Sequence, residues 1–453
     1  MDKNKTITKT VWQHTEILPR ETMEFLNGIA ADYARVKRNV YERYSGPGSL
    51  DRLSSVYDIM TEMRRCGLRE QLKLPSVYYE LAVRDAVTDI KGVWGILKNK
   101  IRTMITANEN LSGDDRMYLR TVLKLDSVYA AILKGETYPM PEKAAGLNMD
   151  VDHVNKLNNL LRRLTRRYQM KPSPGNADSF CVSPAGYSYK DHSLYLVSRV
   201  PRRRVKLPLK DEKTSIRQIR IFIKNNCAVI AIPIEVKEKK HKDYQNTLYI
   251  HLGYEHMCTL SSGMIYGEET GKLLAAKSRR LMEKNRQRRK AQTSYQESLA
   301  LGDEKKADEI KANNLGRQKY DRQKKREQAM IESYINGEIN RMLETEKPGK
   351  IIITKPITID KRKLKYKVSN RKVTEGPQGY VRKRLAQKCR ENGIELVEIN
   401  SKGTGTVCCV CGAEGKRLEE GFVCGNCGFQ STIAFNGARN IEKKYQEFGK
   451  TEF

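Results

Sequence analysis

Residues 406–428 read TVCCVCGAEGKRLEEGFVCGNCG, which contains two Cys-x-x-Cys pairs separated by twelve residues. Each pair grips an ion from a tight turn, and Gly412 and Gly428 permit the turn that follows. Four thiolates at this spacing are typical of a closed tetrahedral Zn²⁺ site, and a redox Cys-x-x-Cys motif is the alternative. The sequence predicts a structural zinc ribbon at 408–428. The predicted ligands are Cys408, Cys411, Cys424 and Cys427, with Cys409 as a bystander.

The chain as a whole is strongly basic. Among its 453 residues, 85 Lys and Arg outnumber 54 Asp and Glu, which gives a formal charge of +31. This excess favours a nucleic-acid partner over an incidentally basic protein or a membrane-surface binder, because uncompensated like charges repel until an anion neutralises them. No apolar run approaches the ~20 residues of a membrane helix, and the amino-terminal residues lack a signal-peptide core. We expect a cytoplasmic protein that has no membrane partner.

Hydrophobic periodicity divides the chain into modules. Residues 6–17 and several segments after Pro172 alternate β-forming with polar residues, which predicts strands, whereas the stretch between them has helical spacing. We predict a β-barrel module formed by 1–17 and 170–246, with a helical module inserted at 18–169. From residue 247 the order strand, hairpin, helix, strand, helix, strand predicts a layered α/β domain at 247–407 and 429–453, interrupted by the zinc ribbon.

Three clusters of basic residues are candidates for contact with phosphate groups. One lies on a predicted helix, one lies in the β-rich module, and one opens a long polar helical region at about 272–345. A solvated charged face is the alternative for each cluster, but few acids interrupt them, and this favours phosphate contact. The candidates are Arg162, Arg163, Arg166, Arg167, Arg202, Arg203, Arg204, Lys206, Arg279, Arg280, Arg286, Arg288 and Arg289.

The order of these modules, taken with three motifs, resembles the transposon-encoded TnpB proteins and the compact type V CRISPR effectors. The motifs are LPSVYYELAVRDAV at 74–87, LGYEHMCTLSSGMIYGEE at 252–269, and the cysteine cluster followed by FNGARNI at 435–441. The resemblance implies a multidomain α/β protein with a split β-barrel wedge module, a helical recognition module, and an RNase H-like (RuvC) domain carrying the zinc ribbon. It also implies a guide RNA and a double-stranded DNA target beside a short flanking motif.

The nuclease of that family depends on three acids, and this sequence differs at each position. The first strand usually reads G-I-D-L-G, but His251 stands at the Asp position. The second usually reads I-V-I-E-D, but Thr354 stands at the Glu position. The closing segment usually reads A-D-x-N-A-A-R-N-I, but here Ala434 stands at the Asp position.

These replacements predict that the domain does not cleave. Two-metal phosphodiester cleavage needs two divalent ions about 4 Å apart, and Mg²⁺ prefers anionic oxygen ligands. Neutral imidazole, a hydroxyl and a methyl group do not hold such a pair, so we expect no catalytic Mg²⁺. The alternative is that other acids are displaced into the site. The candidates for displaced acids are Asp243, Glu255, Asp360 and Glu398.

The preferred hypothesis is an RNA-guided DNA-binding protein without nuclease activity, similar to the nuclease-dead TnpB-like repressors. A stable R-loop at a promoter would block polymerase, and recruitment of the transcription machinery is a close variant. Such a protein would be associated with the nucleoid. One alternative is an active RNA-guided endonuclease with relocated carboxylates. Another is a transposon-associated RNA-binding accessory protein that needs no DNA target.

Overall fold

The computed structural model describes residues 6–147, 149–239, 241–356, 377–418 and 421–448. Asp360, one of the four candidate displaced acids, lies outside the described residues. The chain divides into two compact units, one formed by Thr8–Glu235 and the other by Met1–Ile7 together with Val236–Phe453. Mixed helix and sheet in both units confirm the predicted fold class. No helix in the described ranges combines the length and the apolar character that crossing a membrane requires.

The first unit holds two small sheets. One has the strand order β1-β7-β6-β2 and the other the order β3-β4-β5, and an isolated bridge joins Thr15 to Leu209. The strands are β1 Thr6–His14, β2 Ser179–Val182, β3 Tyr187–Lys190, β4 Ser193–Val197, β5 Arg204–Pro208, β6 Ile219–Lys224 and β7 Cys227–Lys237. Strand β1 pairs beside β7 although the whole helical region separates them in sequence.

The described residues between β1 and β2 form eight α-helices. They are α1 Arg20–Tyr44, α2 Val56–Arg65, α3 Leu68–Leu72, α4 Ser76–Ala107, α5 Gly113–Val122, α6 Asp126–Lys134, α7 Glu142–Ala145 and α8 Val151–Tyr168. The apolar stripe of α1, which includes Leu26, Ile29 and Val36, is fully buried, as its helical spacing predicts. Helices α5 and α6 are separate because Leu125, just before α6, adopts extended backbone angles.

The second unit is built on a five-stranded sheet of order β10-β9-β8-β11-β12. Strand β8 pairs antiparallel with β9 but parallel with β11, which in turn pairs parallel with β12. The sheet is therefore mixed, with β11 paired in parallel on both sides. Its strands are β8 Asn246–Leu252, β9 Cys258–Leu260, β10 Ile265–Tyr266, β11 Pro348–Thr354 and β12 Glu395–Ile399.

Helices and a small ribbon complete this unit. The helices are α9 Thr270–Ala300, α10 Glu304–Asn314, α11 Gln318–Glu346, α12 Gln378–Glu391 and α13 Ile433–Phe448. The ribbon strands, which form an antiparallel sheet, are β13 Lys416–Arg417, β14 Phe422–Val423 and β15 Gln430–Ser431.

Strand alternation assigns each face of the five-stranded sheet to different helices. Ile351 and Ile353 pack with buried residues of α11 and α12, whereas Ile352 packs with Ile441 of α13. Successive side chains of a strand point to opposite faces. Residues two positions after Ile352, and those level with them on neighbouring strands, therefore lie on the face that α13 covers.

Candidate functional site

The four predicted zinc ligands converge. The Sγ atoms of the four cysteines all lie within 4.8 Å of one another, with 3.6 Å between Cys408 and Cys427 and 3.5 Å between Cys411 and Cys424. Zn–S bonds of ~2.3 Å in a tetrahedron place sulfur atoms about 3.8 Å apart, so this cage fits Zn²⁺. Cys409 takes no part in the group, as the sequence predicts.

Two similar turns form the cage. The N–H of Gly412 donates to the carbonyl of Cys408, and the N–H of Gly428 donates to the carbonyl of Cys424, each at 3.0 Å. Both glycines have positive φ, 78° and 73°, which is why glycine is favoured there. Hydrogen bonds from the Ala413 backbone and the Asn426 amide lower the pKa of Cys411 to about 6, which favours the thiolate that a metal binds.

Two asparagines join the ribbon to α13, and the sequence analysis missed both. The Asn436 side chain accepts from the N–H of Cys409 at 2.8 Å and donates to the Val407 carbonyl at 2.8 Å. The Asn440 amide donates to the same carbonyl at 2.7 Å and to the carbonyl of Thr404 at 3.1 Å. The two asparagines are four residues apart in FNGARNI, and residues at this spacing lie on the same face of a helix. This spacing could have predicted that one face of the helix contacts the ribbon.

The three positions at which the resemblance expects acids lie at one edge of the five-stranded sheet. Ile353 of β11 pairs with Ile250 of β8, so Thr354 and His251 follow at the carboxyl ends of adjacent parallel strands. Both lie on the face that α13 covers, and Ala434 belongs to the first turn of α13. His251, Thr354 and Ala434, which are far apart in the sequence, thus lie at one location. None of the three side chains is a carboxylate.

His251 fills space at this edge. A Cβ atom added to Gly437 of α13 would lie only 2.6 Å from Cδ2 of His251, so the ring packs against the helix backbone. Its Nδ1 atom is buried and has no hydrogen-bond partner among the described residues. Burial, together with the positive charge of Arg417, lowers the pKa of His251 to about 4, which keeps the imidazole neutral near pH 7.

The described acids proposed as displaced ligands do not gather at this edge. Asp243 precedes β8 and forms an ion pair with Lys347 at 3.0 Å, at the amino ends of the strands. Glu398 is level with Ile353, on the opposite face of the sheet, and lies 3.5 Å from Arg382. Glu255 is an exposed residue of the turn after β8. Within the described ranges, the four cysteines form the only cluster of three or more His, Cys, Asp or Glu side chains placed to hold a metal.

The basic residues of α8 divide into two groups. Arg163, Arg166 and Arg167 are exposed, and Arg167 lies over the Tyr168 ring at 5.4 Å. Arg162 instead donates from Nε to the Ile132 carbonyl at 2.7 Å and from Nη1 to Asn159 at 2.8 Å, which ties α8 to the end of α6.

The basic cluster of the β-rich module is exposed throughout. Arg202, Arg203, Arg204 and Lys206 are all exposed at the start of β5, and Arg204 donates to Ser188 at 2.8 Å.

On α9, Arg279, Arg286 and Arg289 are exposed, with no ion-pair partner among the described residues. Arg280 pairs with Glu327 at 3.2 Å, and Arg288 donates to the carbonyls of Leu315 and Gly316 at 3.0 Å each.

One family model matches part of the second unit. Residues 379–441 match the family model described as the Cas12f1-like TNB domain. No curated protein sequence matches the chain significantly. Similar solved structures include a Cas12f1–sgRNA–target DNA complex (TM-score 0.27, 12% identity, 96% of this chain and 98% of that chain).

Two further structures share this low similarity. The mini-RNA-guided endonuclease CRISPR-Cas phi3 has a TM-score of 0.47 and 11% identity, over 96% of this chain and 92% of that chain. Alicyclobacillus acidoterrestris C2c1 with single-guide RNA has a TM-score of 0.43 and 8% identity, over 97% of this chain and 88% of that chain. At these TM-scores the likenesses assign no role to any residue here. The TNB match spans the zinc cage and the FNGARNI segment, so this part of the chain is similar to the TNB domain of Cas12f1-like proteins.

Proposed function

We propose that this chain is an RNA-guided, sequence-specific DNA-binding protein that lacks nuclease activity and represses transcription by forming an R-loop. The family relation supports a guide RNA and a duplex target read beside a short flanking motif. In such a protein, base pairing between guide and target strand supplies most of the sequence specificity. The net charge of +31 allows the protein to neutralise the phosphate groups of an RNA–DNA hybrid and of a displaced strand.

The observation that carries the loss of cleavage is the composition of the carboxyl edge of the sheet. His251 and Thr354 lie there on neighbouring strands, with Ala434 in the first turn of the covering helix. Two dications held close together need several carboxylates between them, because each ion repels the other. Without this pair, the charge that develops on the scissile phosphate loses its main stabilisation. Binding of the target then persists without cutting.

The zinc cage has a structural role in this proposal. Cys408, Cys411, Cys424 and Cys427 would hold Zn²⁺ with all four positions filled by sulfur, so the ion supplies rigidity and no reaction. The hydrogen bonds of Asn436 and Asn440 attach α13 to the ribbon. They would therefore fix the position of α13 on the side of the sheet that carries His251.

The direct test is a plasmid-cleavage assay with the RNA that co-purifies with the protein. That RNA is sequenced, a matching target is placed beside a randomised flanking region, and Mg²⁺ or Mn²⁺ is added. We expect a guide-dependent gel shift of the duplex and no linear or nicked product. Guide-dependent cleavage by the wild-type chain would overturn the proposal in favour of relocated carboxylates.

The matched variant restores the three acids. In His251→Asp/Thr354→Glu/Ala434→Asp we expect Mn²⁺ binding that is detectable by electron paramagnetic resonance, whereas the wild type should show none at this edge. A promoter–reporter assay with a guide against the promoter then tests repression. RNA binding without any guide-dependent DNA shift would instead support the RNA-binding accessory protein, and a rise in expression would support recruitment of the transcription machinery.

A further inference from the structure

A basic cleft opens within the long helical region that interrupts the sheet. Residues from α9, from the end of α10 and from the start of α11 surround a space of about 800 Å³. Cavities of roughly 300–1,000 Å³ are the usual size for sites that bind small molecules or single groups of a larger ligand. The cleft is large enough for a specific ligand, and it is separate from the zinc cage and from the edge that carries His251.

The charge of the cleft has one sign. Lys284, Arg288 and Arg317 line it, and no carboxylate belongs to its lining among the described residues. On α11, Asp321 follows Tyr320 but is not a lining residue, and Glu327 has a side chain only 8% exposed and is paired with Arg280 at 3.2 Å. Three cations in one cleft repel one another unless an anion enters. The lining therefore favours an anionic ligand.

One of these cations is held in place. Arg288 donates from Nη1 to the Gly316 carbonyl and from Nη2 to the Leu315 carbonyl, at 3.0 Å each. A guanidinium has five N–H donors, so these two bonds fix its plane and leave others for a ligand. A preorganised guanidinium loses little freedom when it binds phosphate.

The remaining lining suits a base rather than phosphate alone. Tyr320 of α11 contributes a half-buried aromatic ring, and Asn313 and Asn314 contribute amides that donate and accept hydrogen bonds. Aromatic rings in basic grooves stack on nucleic-acid bases with little sequence preference. A neutral sugar has no charge for the three cations, and a lipid headgroup has no flat ring to stack on Tyr320.

We propose that this cleft binds one nucleotide unit, with the phosphate on Lys284 and Arg317 and the base stacked on Tyr320. We assign this nucleotide to the RNA that the protein carries, and this assignment rests on the proposed function. A free nucleotide has the same chemistry and is the other source that the experiment separates. Arg288 orients the site by holding the 315–316 turn in place.

The test uses the full chain purified with its own RNA from cells supplied with 4-thiouridine. After irradiation, mass spectrometry locates the cross-linked peptides, and we expect one that contains Tyr320. For RNA rebinding, Tyr320→Ala should weaken affinity about tenfold, whereas Tyr320→Phe should keep it. Affinity falls as salt rises, and Lys284→Ala should make the slope of log affinity against log salt less steep by about 0.7. Tyr295→Ala and Lys305→Ala, on the same helical region but outside the cleft, are the matched controls.

The outcomes distinguish RNA from a free nucleotide as the ligand. They also distinguish failure of the cleft proposal from failure of the proposed function. An ATP titration that depends on Tyr320 and Lys284, without an RNA cross-link there, assigns the cleft to a free nucleotide. If Tyr320→Ala and Lys284→Ala match their controls for both RNA and ATP, and no cross-link forms, the cleft proposal is wrong while the guide-dependent gel shift still stands. If no RNA co-purifies and no gel shift is found, the proposed function fails, and titrations with ATP and with a uridine oligomer still decide the cleft.

Discussion

Gly437 of α13 lies directly against the imidazole of His251, so closely that a Cβ atom at 437 would be 2.6 Å from Cδ2 of the ring. In the motif that this segment resembles, an Asp occupies the strand position and an Ala the helix position. The larger ring and the smaller helix residue therefore compensate each other in volume. The position at which the resemblance expects an acid is therefore a packed contact between β8 and α13.

The first prediction follows from this contact. Gly437→Ala should lower the free energy of unfolding by about 1–3 kcal/mol, because the methyl group forces the ring or the helix to move. The higher helix propensity of alanine, up to about 1 kcal/mol, offsets part of this cost. Urea unfolding followed by circular dichroism measures the change.

The control for Gly437→Ala is Gly379→Ala. Gly379 is also helical, but an added Cβ there meets no atom within 4 Å, so this substitution should be neutral or stabilising. In the double variant His251→Ala/Gly437→Ala, the methyl group should no longer destabilise. If Gly437→Ala has the same effect in the wild-type chain and in the His251→Ala variant, the two residues are not coupled.

The second prediction concerns pH. Burial, reinforced by Arg417, lowers the pKa of His251 to about 4 from an ordinary value of 6.5. Above pH 6.5 both the folded and unfolded chains hold a neutral imidazole. As the pH falls below 6.5 the unfolded chain binds a proton that the folded chain does not, so stability is lost until about pH 4. Between about pH 7 and about pH 5 the loss from this residue is on the order of 2 kcal/mol.

The measurement compares unfolding of wild type and His251→Asn at both pH values. The variant should lose less stability on acidification, because it has no imidazole to protonate at this position. His192→Asn is the control, since the His192 side chain is 66% exposed. If His251→Asn and wild type lose the same amount, the ring titrates normally and is not packed as described.

The cysteine cage and the layered α/β domain could be predicted from the sequence because short-range patterns encode both. The Cys-x-x-Cys spacing predicts the two turns that form the cage, and β-forming runs such as 349–354 predict a buried strand. The Gly437–His251 contact joins residues far apart in the chain, so no local pattern reports it. For the same reason Arg162 and Arg288 looked like their exposed neighbours, although the structure uses them to hold carbonyl groups.

The third prediction is that the full chain binds about one zinc ion through the four cysteines. Cys424→Ser should reduce the zinc content measured by plasma mass spectrometry and should loosen the Asn436 contact with the ribbon. Cys409→Ser is the matched control, because Cys409 lies in the same segment but outside the cage. Equal zinc loss in both variants would contradict the assignment of the ligands.

The fourth prediction separates two adjacent arginines of α8. Arg163 is exposed, so Arg163→Ala should leave stability unchanged, weaken nucleic-acid binding, and lower the salt slope by about 0.7–0.9 if it contacts one phosphate. Arg162 donates to the Ile132 carbonyl, so Arg162→Ala should lower the free energy of unfolding by about 1 kcal/mol and leave the salt slope nearly intact. Filter binding over a range of salt concentrations and urea unfolding measure the two effects. The reverse pattern would mean that the Ile132 contact gives way to phosphate in the complex, and Arg162 would then return to the nucleic-acid surface.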